Sequence, residues 1–224
     1  MASYRPKTFA VRLKKGNVKA APIKNIPLQL PFNSKAFTPE NFGYTVSFDK
    51  KGNSFAAELI GDKVTCDNIT FSIADHENKN VIKCKGDTIQ LPKEAAGKKL
   101  YILAASTDKD RKSPFLVNGK SHEFEIPYYS GFYGQWGHKG VSDGYIRNAS
   151  LAYIGSHRHT EKGNDTYIYT YMYKLGIELP QEAHTLVLPK DENIAVFAIT
   201  LSDNYIDDIS TANEMRILPL EVSK

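Results

Sequence analysis

The chain is predicted to be an all-β protein, an antiparallel jelly roll or β-sandwich with little helix. Short runs rich in Val, Ile, Tyr, Phe and Thr recur between Gly, Asn, Asp and Pro residues, a pattern typical of short strands joined by turns. Turn sequences such as Lys51-Gly52-Asn53 and Asn118-Gly119 fit hairpins between these runs. The number and spacing of the runs favour an antiparallel sandwich or jelly roll.

The predicted strands follow the chain from end to end. In the first half they span residues 8–13, 55–60, 69–73, 81–84, 100–105 and 122–126. In the second half they span residues 150–155, 167–174, 185–188, 194–201 and 215–220. Strand 8–13 either ends a preceding domain or pairs as an edge strand with residues 215–220, and both interpretations stay open. We expect a remnant strand and linker over residues 1–20 and one elaborated sandwich over residues 21–224.

Composition excludes several classes of function. The 224 residues are 41% hydrophobic and 24% charged, as in a soluble globular protein. No apolar run approaches the roughly 20 residues of a membrane-spanning helix, and the first residues lack the apolar core of a secretory signal. The lysines of the basic first half are scattered through turns, so we expect a solvated surface and no nucleic-acid partner. Cys66 and Cys84 lie in apolar runs and are expected to be buried thiols, with a cross-strand disulfide as the alternative.

The segment richest in side chains that could bind a ligand is PYYSGFYGQWGHK, residues 127–139. Tyr133 and Trp136 could stack on the face of a sugar ring, and Gln135 and His138 could donate hydrogen bonds to its hydroxyl groups. The glycines between them would let a ligand approach the backbone closely. The structural alternative is a core role, with Trp136 buried beneath a glycine-rich loop.

The sequence His157-Arg158-His159 is the next candidate. On a strand, His157 and His159 would point to one face and could offer two imidazoles to one metal ion. The nearest residues that could complete such a site are His138, Asp143 and Asp165. The surrounding sequence is also compatible with a surface turn whose histidines form hydrogen bonds. Because the motif is short, we assign no metal and treat His157, Arg158 and His159 as ligand-binding residues.

A ladder of four tyrosines follows at strict alternation, at positions 167, 169, 171 and 173. If it faced outward, it would offer a flat aromatic surface to a sugar, so Tyr169 and Tyr171 join the candidate binding residues. If it faced inward, the tyrosines would be core residues, and a partly structural ladder is favoured. The acidic residues lie in turn-like contexts, and no hydrolase, nucleotide-binding or zinc-protease motif is present, so no catalytic residue is assigned.

Several stretches together resemble a known family. The sequences PLQLPFNSKAF, FAAELI, VIKCKGDTIQLP, KLYILAAS, GFYGQW, IGSHRHT, YMYKLGIELP and TLVLPKDENIAVFAITLS are similar to the C-terminal β-sandwich region of bacterial alpha-mannosidase-like proteins of glycoside hydrolase family 38. The resemblance covers roughly residues 5–202. None of these motifs is a catalytic signature.

The resemblance implies a galactose-binding-like jelly roll with an accessory role in a larger enzyme. The family's zinc and its catalytic residues belong to an N-terminal barrel that this sequence does not contain, so no cofactor is expected here. A periplasmic or extracellular location is implied in the same way. We therefore expect a non-catalytic carbohydrate-associated module whose partners are a glycan and the other domains of the parent glycosidase. The alternatives are a purely structural interdomain or oligomerisation module, and a free-standing hydrolase or metal-dependent enzyme that uses the two histidines.

Overall fold

The computed structural model describes residues 23–40, 46–131, 134–135, 145–146 and 149–203, with the backbone alone at 134–135 and 145–146. The strands in this part of the chain are β1 (Asn25–Pro27), β2 (Phe37–Thr38), β3 (Ser54–Ala56), β4 (Lys63–Cys66), β5 (Ile69–Ser72), β6 (Ile82–Lys83), β7 (Thr88–Gln90), β8 (Lys99–Ser106), β9 (Arg111–Val117), β10 (Lys120–Ile126), β11 (Gly134–Gln135), β12 (Tyr145–Ile146), β13 (Ser150–Thr160), β14 (Gly163–Glu178), β15 (Thr185–Val187) and β16 (Ile194–Ser202). Two 3-10 helices, Ala57–Leu59 and Lys93–Ala95, accompany them. The predicted all-β class is confirmed. No helix able to cross a bilayer occurs within the described residues.

An eight-stranded sheet forms the centre of the fold. Its strand order is β1-β16-β8-β14-β13-β3-β2, with β6 also paired to β16. Strands β2 and β3 are parallel, whereas β8, β13, β14 and β16 pair antiparallel. A four-stranded sheet of order β10-β9-β15-β7 packs against one face, and the β4–β5 hairpin packs against the other. The central sheet is therefore covered on both sides.

This double coverage explains the apolar sequences of β8 and β16, which are buried along their whole length. Leu100 and Ile102 of β8 pack towards the four-stranded sheet, while Tyr101 and Leu103 pack towards the β4–β5 hairpin. Alternate residues of a strand point to opposite faces, so a sheet buried on both sides needs continuous apolar strands. Burial of each such large side chain contributes about 1.5–3 kcal/mol.

The hairpin-side core is rich in aromatic rings. Phe48 lies edge-on to Tyr129 at a centroid distance of 5.0 Å, and Phe55 lies 5.3 Å from Phe197. The Tyr129 hydroxyl donates a 2.8 Å hydrogen bond to the buried carboxylate of Asp49. Burial raises the pKa of the Tyr129 phenol, and the Asp49 carboxylate raises it further. This contact anchors the chain after β10 to the turn that precedes β3.

Two hairpins of the fold bear on the sequence predictions, and the second contains His157 and His159. Strands β9 and β10 are joined by Asn118-Gly119 with φ angles of +48° and +83°, which confirms the hairpin predicted there. Strands β13 and β14 form the longest hairpin, in which Thr160 is opposite Gly163. The turn thus follows His159, and His157-Arg158-His159 lies in a strand. The alternative of a surface turn at these histidines is excluded.

The predicted strand over residues 55–60 is wrong in its second half. Strand β3 ends at Ala56, and the Ile60 N–H donates a 3.2 Å hydrogen bond to the Ala57 carbonyl across a 3-10 turn. Residues three apart align in a 3-10 helix, and Ala57 and Ile60 both enter the core. Glu58 between them is exposed. The predicted strands 8–13 and 215–220 lie outside the described residues.

Candidate metal centre

His157 and His159 form the base of the site on one face of β13. Their rings are stacked, with centroids 5.4 Å apart and an interplanar angle of 29°. Arg158 points to the opposite face and pairs with Asp165 of β14, with Nε and a terminal nitrogen 2.9 and 2.7 Å from the same carboxylate oxygen. This pairing separates Asp165, a predicted completing ligand, from the two imidazoles. His138 and Asp143, the other two predicted ligands, lie outside the described residues.

Glu58 completes the cluster. Its Oε1 atom lies 3.0 Å from His157 Nε2 and 2.9 Å from His159 Nε2. The carboxylate arrives from the 3-10 turn after β3, and β3 pairs with β13 next to the histidines, with Ser54 opposite His159. Two adjacent strands thus bring together groups that are about a hundred residues apart in sequence. The sequence analysis missed Glu58.

The cluster is fixed on its inner side and open on its outer side. The side chain of His159 is 4% exposed and that of His157 is 15% exposed, whereas 28% of the Glu58 side chain is accessible. His157 Nδ1 lies 3.3 Å from the Ser156 hydroxyl, which can accept a hydrogen bond from Nδ1–H and leave Nε2 directed at Glu58. The ligand atoms of all three residues lie within 4.8 Å of one another. Two imidazoles and a carboxylate are a donor set suited to a transition-metal ion.

Tyr153 lies beside the cluster on the same strand. The site of a Cβ atom on Gly155 would be 2.9 Å from the Tyr153 hydroxyl and 2.4 Å from Thr170 Oγ1. The tyrosine ring therefore extends along β13 over the glycine, towards His157. Burial raises the pKa of the Tyr153 phenol, and the negative charge of Glu58 raises it further. A neutral phenol thus adjoins the candidate ligands.

A sequence model described as the AziU2-like beta-sandwich domain matches residues 24–205. The chain belongs to this family. The match covers the strands of both sheets and all three residues of the cluster. No curated protein matches the chain.

In the AziU2-like domain the tyrosine ladder is divided into two parts. Tyr167 is 82% exposed and Tyr169 is 40% exposed, whereas Tyr171 and Tyr173 are buried. The hydroxyl of Tyr171 donates to the Gly131 carbonyl at 2.8 Å, and that of Tyr173 donates to the Tyr128 carbonyl at 3.2 Å. The register between β13 and β14 shifts between Gly155 and His157, and Tyr167 has a φ of +66°. This bulge interrupts the strict alternation that the sequence suggested.

The remaining predicted residues are only partly described. Tyr133, Trp136 and His138 lie outside the described residues. Gln135 lies in β11 opposite Tyr145 of β12, and only its backbone is described. Their assignment to ligand binding stays a prediction, as do those of Arg158, Tyr169 and Tyr171. Cys66 and Cys84 are both thiols, the first half-buried and the second buried, and burial raises the pKa of Cys84.

Proposed function

We propose that the AziU2-like domain binds a divalent transition-metal ion through Glu58, His157 and His159, with Zn²⁺ as the first candidate. The observation that supports this function is the convergence of two Nε2 atoms and one carboxylate oxygen within 4.8 Å. Protein zinc sites that act on ligands use three such residues and leave further positions open. The Ser156 hydroxyl at His157 Nδ1 is the kind of supporting contact that orients a metal-binding imidazole.

A metal-free cluster is the competing explanation. In that case the Nε2–H groups of the imidazoles would donate hydrogen bonds to Glu58, and the cluster would only stabilise the packing of β3 on β13. Both explanations use the same distances, so metal binding has to be measured directly.

The test is the metal content and thermal stability of the purified chain. After dialysis against Zn²⁺ and removal of excess metal, we expect one tightly bound ion for each chain. Glu58→Gln, which keeps the shape of the side chain but removes its charge, should lose it. His184→Gln is the matched control, because His184 is exposed before β15 in the four-stranded sheet. Equal zinc content in the wild type and in Glu58→Gln would refute the proposal.

Carbohydrate binding is a second candidate, supported by the exposure of Tyr167 and Tyr169. Their rings lie on the strand paired with the histidine strand, and exposed aromatic rings favour stacking with sugars. A glycan array with and without chelator tests this function. Binding that is lost in Tyr169→Ala and in Trp136→Ala would support it. Unchanged glycan binding by both variants would contradict the predicted site.

A parent enzyme similar to alpha-mannosidases, with a periplasmic or extracellular location, is also part of the proposal. It rests on the sequence motifs that resemble that family, and the partners would then be the other domains of the enzyme. Alpha-mannosidase activity of the protein as cells produce it would support this parentage. Inactivity towards mannosides would contradict it and leave the metal site unaffected.

A further inference from the structure

We propose that the ion at Glu58, His157 and His159 is six-coordinate and that its open positions bind a chelating oxygen anion, namely a 2-oxo or 2-hydroxy carboxylate. This inference rests on the proposed metal-binding function and specifies the ligand of the same site. It follows from three properties of the cluster: the spacing of its donor atoms, its open side and its charge.

The spacing of the donor atoms favours right angles at the metal. With metal–ligand distances of about 2.1 Å, two ligands at 90° lie about 3.0 Å apart, whereas two ligands at the tetrahedral angle lie about 3.4 Å apart. Glu58 Oε1 lies 3.0 and 2.9 Å from the two Nε2 atoms. Both carboxylate–imidazole distances match the right-angle geometry. A right angle between the two imidazoles as well requires their Nε2 atoms, which lie within 4.8 Å of each other, to be about 3.0 Å apart. Two histidines and one carboxylate on one face of an octahedron leave three adjacent positions for exogenous ligands.

The open side of the cluster faces away from the core. His159 is buried against the sheet, whereas Glu58 is exposed on its 3-10 turn. An ion bound between them is therefore held from the interior by the imidazoles. Its remaining positions point towards solvent, where a small ligand can reach two of them at once.

The charge of the cluster favours an anion. Metal binding requires neutral imidazoles and an ionised carboxylate, so the protein supplies a single negative charge to a divalent ion. A carboxylate that chelates through a neighbouring keto or hydroxyl oxygen brings the site to neutrality. The neutral diol of a sugar would leave one positive charge uncompensated in a partly buried site.

The experiment uses the full chain loaded with Co²⁺, whose visible spectrum reports the coordination number. Bound cobalt is counted by atomic emission, and the loaded protein is titrated with pyruvate, acetate and methyl α-mannoside. Acetate is the matched control for pyruvate, since it carries the same charge without the keto oxygen. We expect the weak absorption of six-coordinate cobalt and binding of pyruvate at least tenfold tighter than that of acetate. Both signals should vanish in Glu58→Gln and persist in His184→Gln.

The outcomes separate this inference from the function on which it rests. Absence of cobalt from the wild type would refute the metal site and the inference together. Stoichiometric cobalt with an intense tetrahedral spectrum, or with equal affinities for pyruvate and acetate, would refute the inference alone. Tighter binding of the mannoside than of pyruvate would overturn the charge argument and support the carbohydrate function instead.

Discussion

Gly155 should not tolerate a side chain, because the space above it is occupied by the side chains of Thr170 and Tyr153. A Cβ atom at this position would lie 2.4 Å from Thr170 Oγ1 and 2.9 Å from the Tyr153 hydroxyl. The backbone lies outside the left-handed region, so the cost of Gly155→Ala comes from steric overlap alone. Thr170 is fully buried on a central strand and has little room to move.

The magnitude follows from two opposing effects. Overpacking of a well-packed interior destabilises proteins by about 1–3 kcal/mol. Replacement of glycine by alanine lowers the conformational entropy of the unfolded chain, which stabilises the folded state by about 0.4–1 kcal/mol. We therefore expect Gly155→Ala to lower the free energy of unfolding by about 1–2 kcal/mol. For a domain of this size the melting temperature would fall by about 2–8 °C.

Urea unfolding followed by circular dichroism measures this effect. Gly61→Ala is the matched control, because no atom lies within 4 Å of its added Cβ and its backbone is equally unstrained. The control should be neutral or slightly stabilising. In a double-mutant cycle, Thr170→Ala should relieve part of the Gly155→Ala penalty, since it removes the nearest atom. The steric argument fails if Gly155→Ala unfolds at the same urea concentration as Gly61→Ala.

Three further predictions concern other parts of the molecule. Tyr129→Phe should cost about 2 kcal/mol, since it removes a hydrogen bond to the buried Asp49 carboxylate, and urea unfolding without a loss of this order would contradict that role. Asp67→Asn should cost less, about 1 kcal/mol at pH 7, because Asp67 pairs with the buried ammonium group of Lys174 but its own carboxylate is half-exposed and screened by solvent. The pKa of Asp67 is lowered in the fold by that hydrogen bond, so its stabilisation is complete above the unfolded pKa of about 3.9 and is lost as the pH falls through the folded value. The stability difference between wild type and Asp67→Asn should therefore close below about pH 4 in pH-dependent thermal melts; a constant difference down to pH 2 would exclude this origin. Saturating Zn²⁺, at about 100 times its dissociation constant, should raise the wild-type stability by about 2.7 kcal/mol and leave Glu58→Gln unchanged, as measured by differential scanning fluorimetry.

The sequence predicts the fold well where local pattern and tertiary position agree. Continuous apolar runs correctly predict β8 and β16. Asn118-Gly119 correctly predicts a hairpin, because a two-residue turn with positive φ favours these residues. The sequence of residues 55–60 predicts one strand, whereas the chain enters a 3-10 turn after Ala56. Both Ala57 and Ile60 are buried in the core, and this packing outweighs the local preference of the segment for a strand. The sequence alone does not contain this tertiary contact.

The candidate site was half predictable for the same reason. His157 and His159 share a face because alternate residues of a strand point the same way, and this two-residue spacing is visible in the sequence. Glu58 joins them through the pairing of β3 with β13, a contact between residues about a hundred positions apart. Alternation also suggested that the tyrosine ladder has one face, but the register shift between Gly155 and His157 and the positive φ of Tyr167 interrupt the alternation. A bulge adds one residue to one strand, and its position depends on the partner strand.

The candidate metal centre is separate from the cores that stabilise the fold. Neither core contains Glu58, His157 or His159, and the anchoring contacts of the site are backbone pairs of β13 with β14 and β3. Small domains that depend on a metal for folding lack such cores and unfold without the ion. Here about forty buried apolar side chains stabilise the sheets independently of the site. The ion would therefore find its three ligands already in place on two paired strands, which is the condition for a site that uses its open positions to bind a ligand.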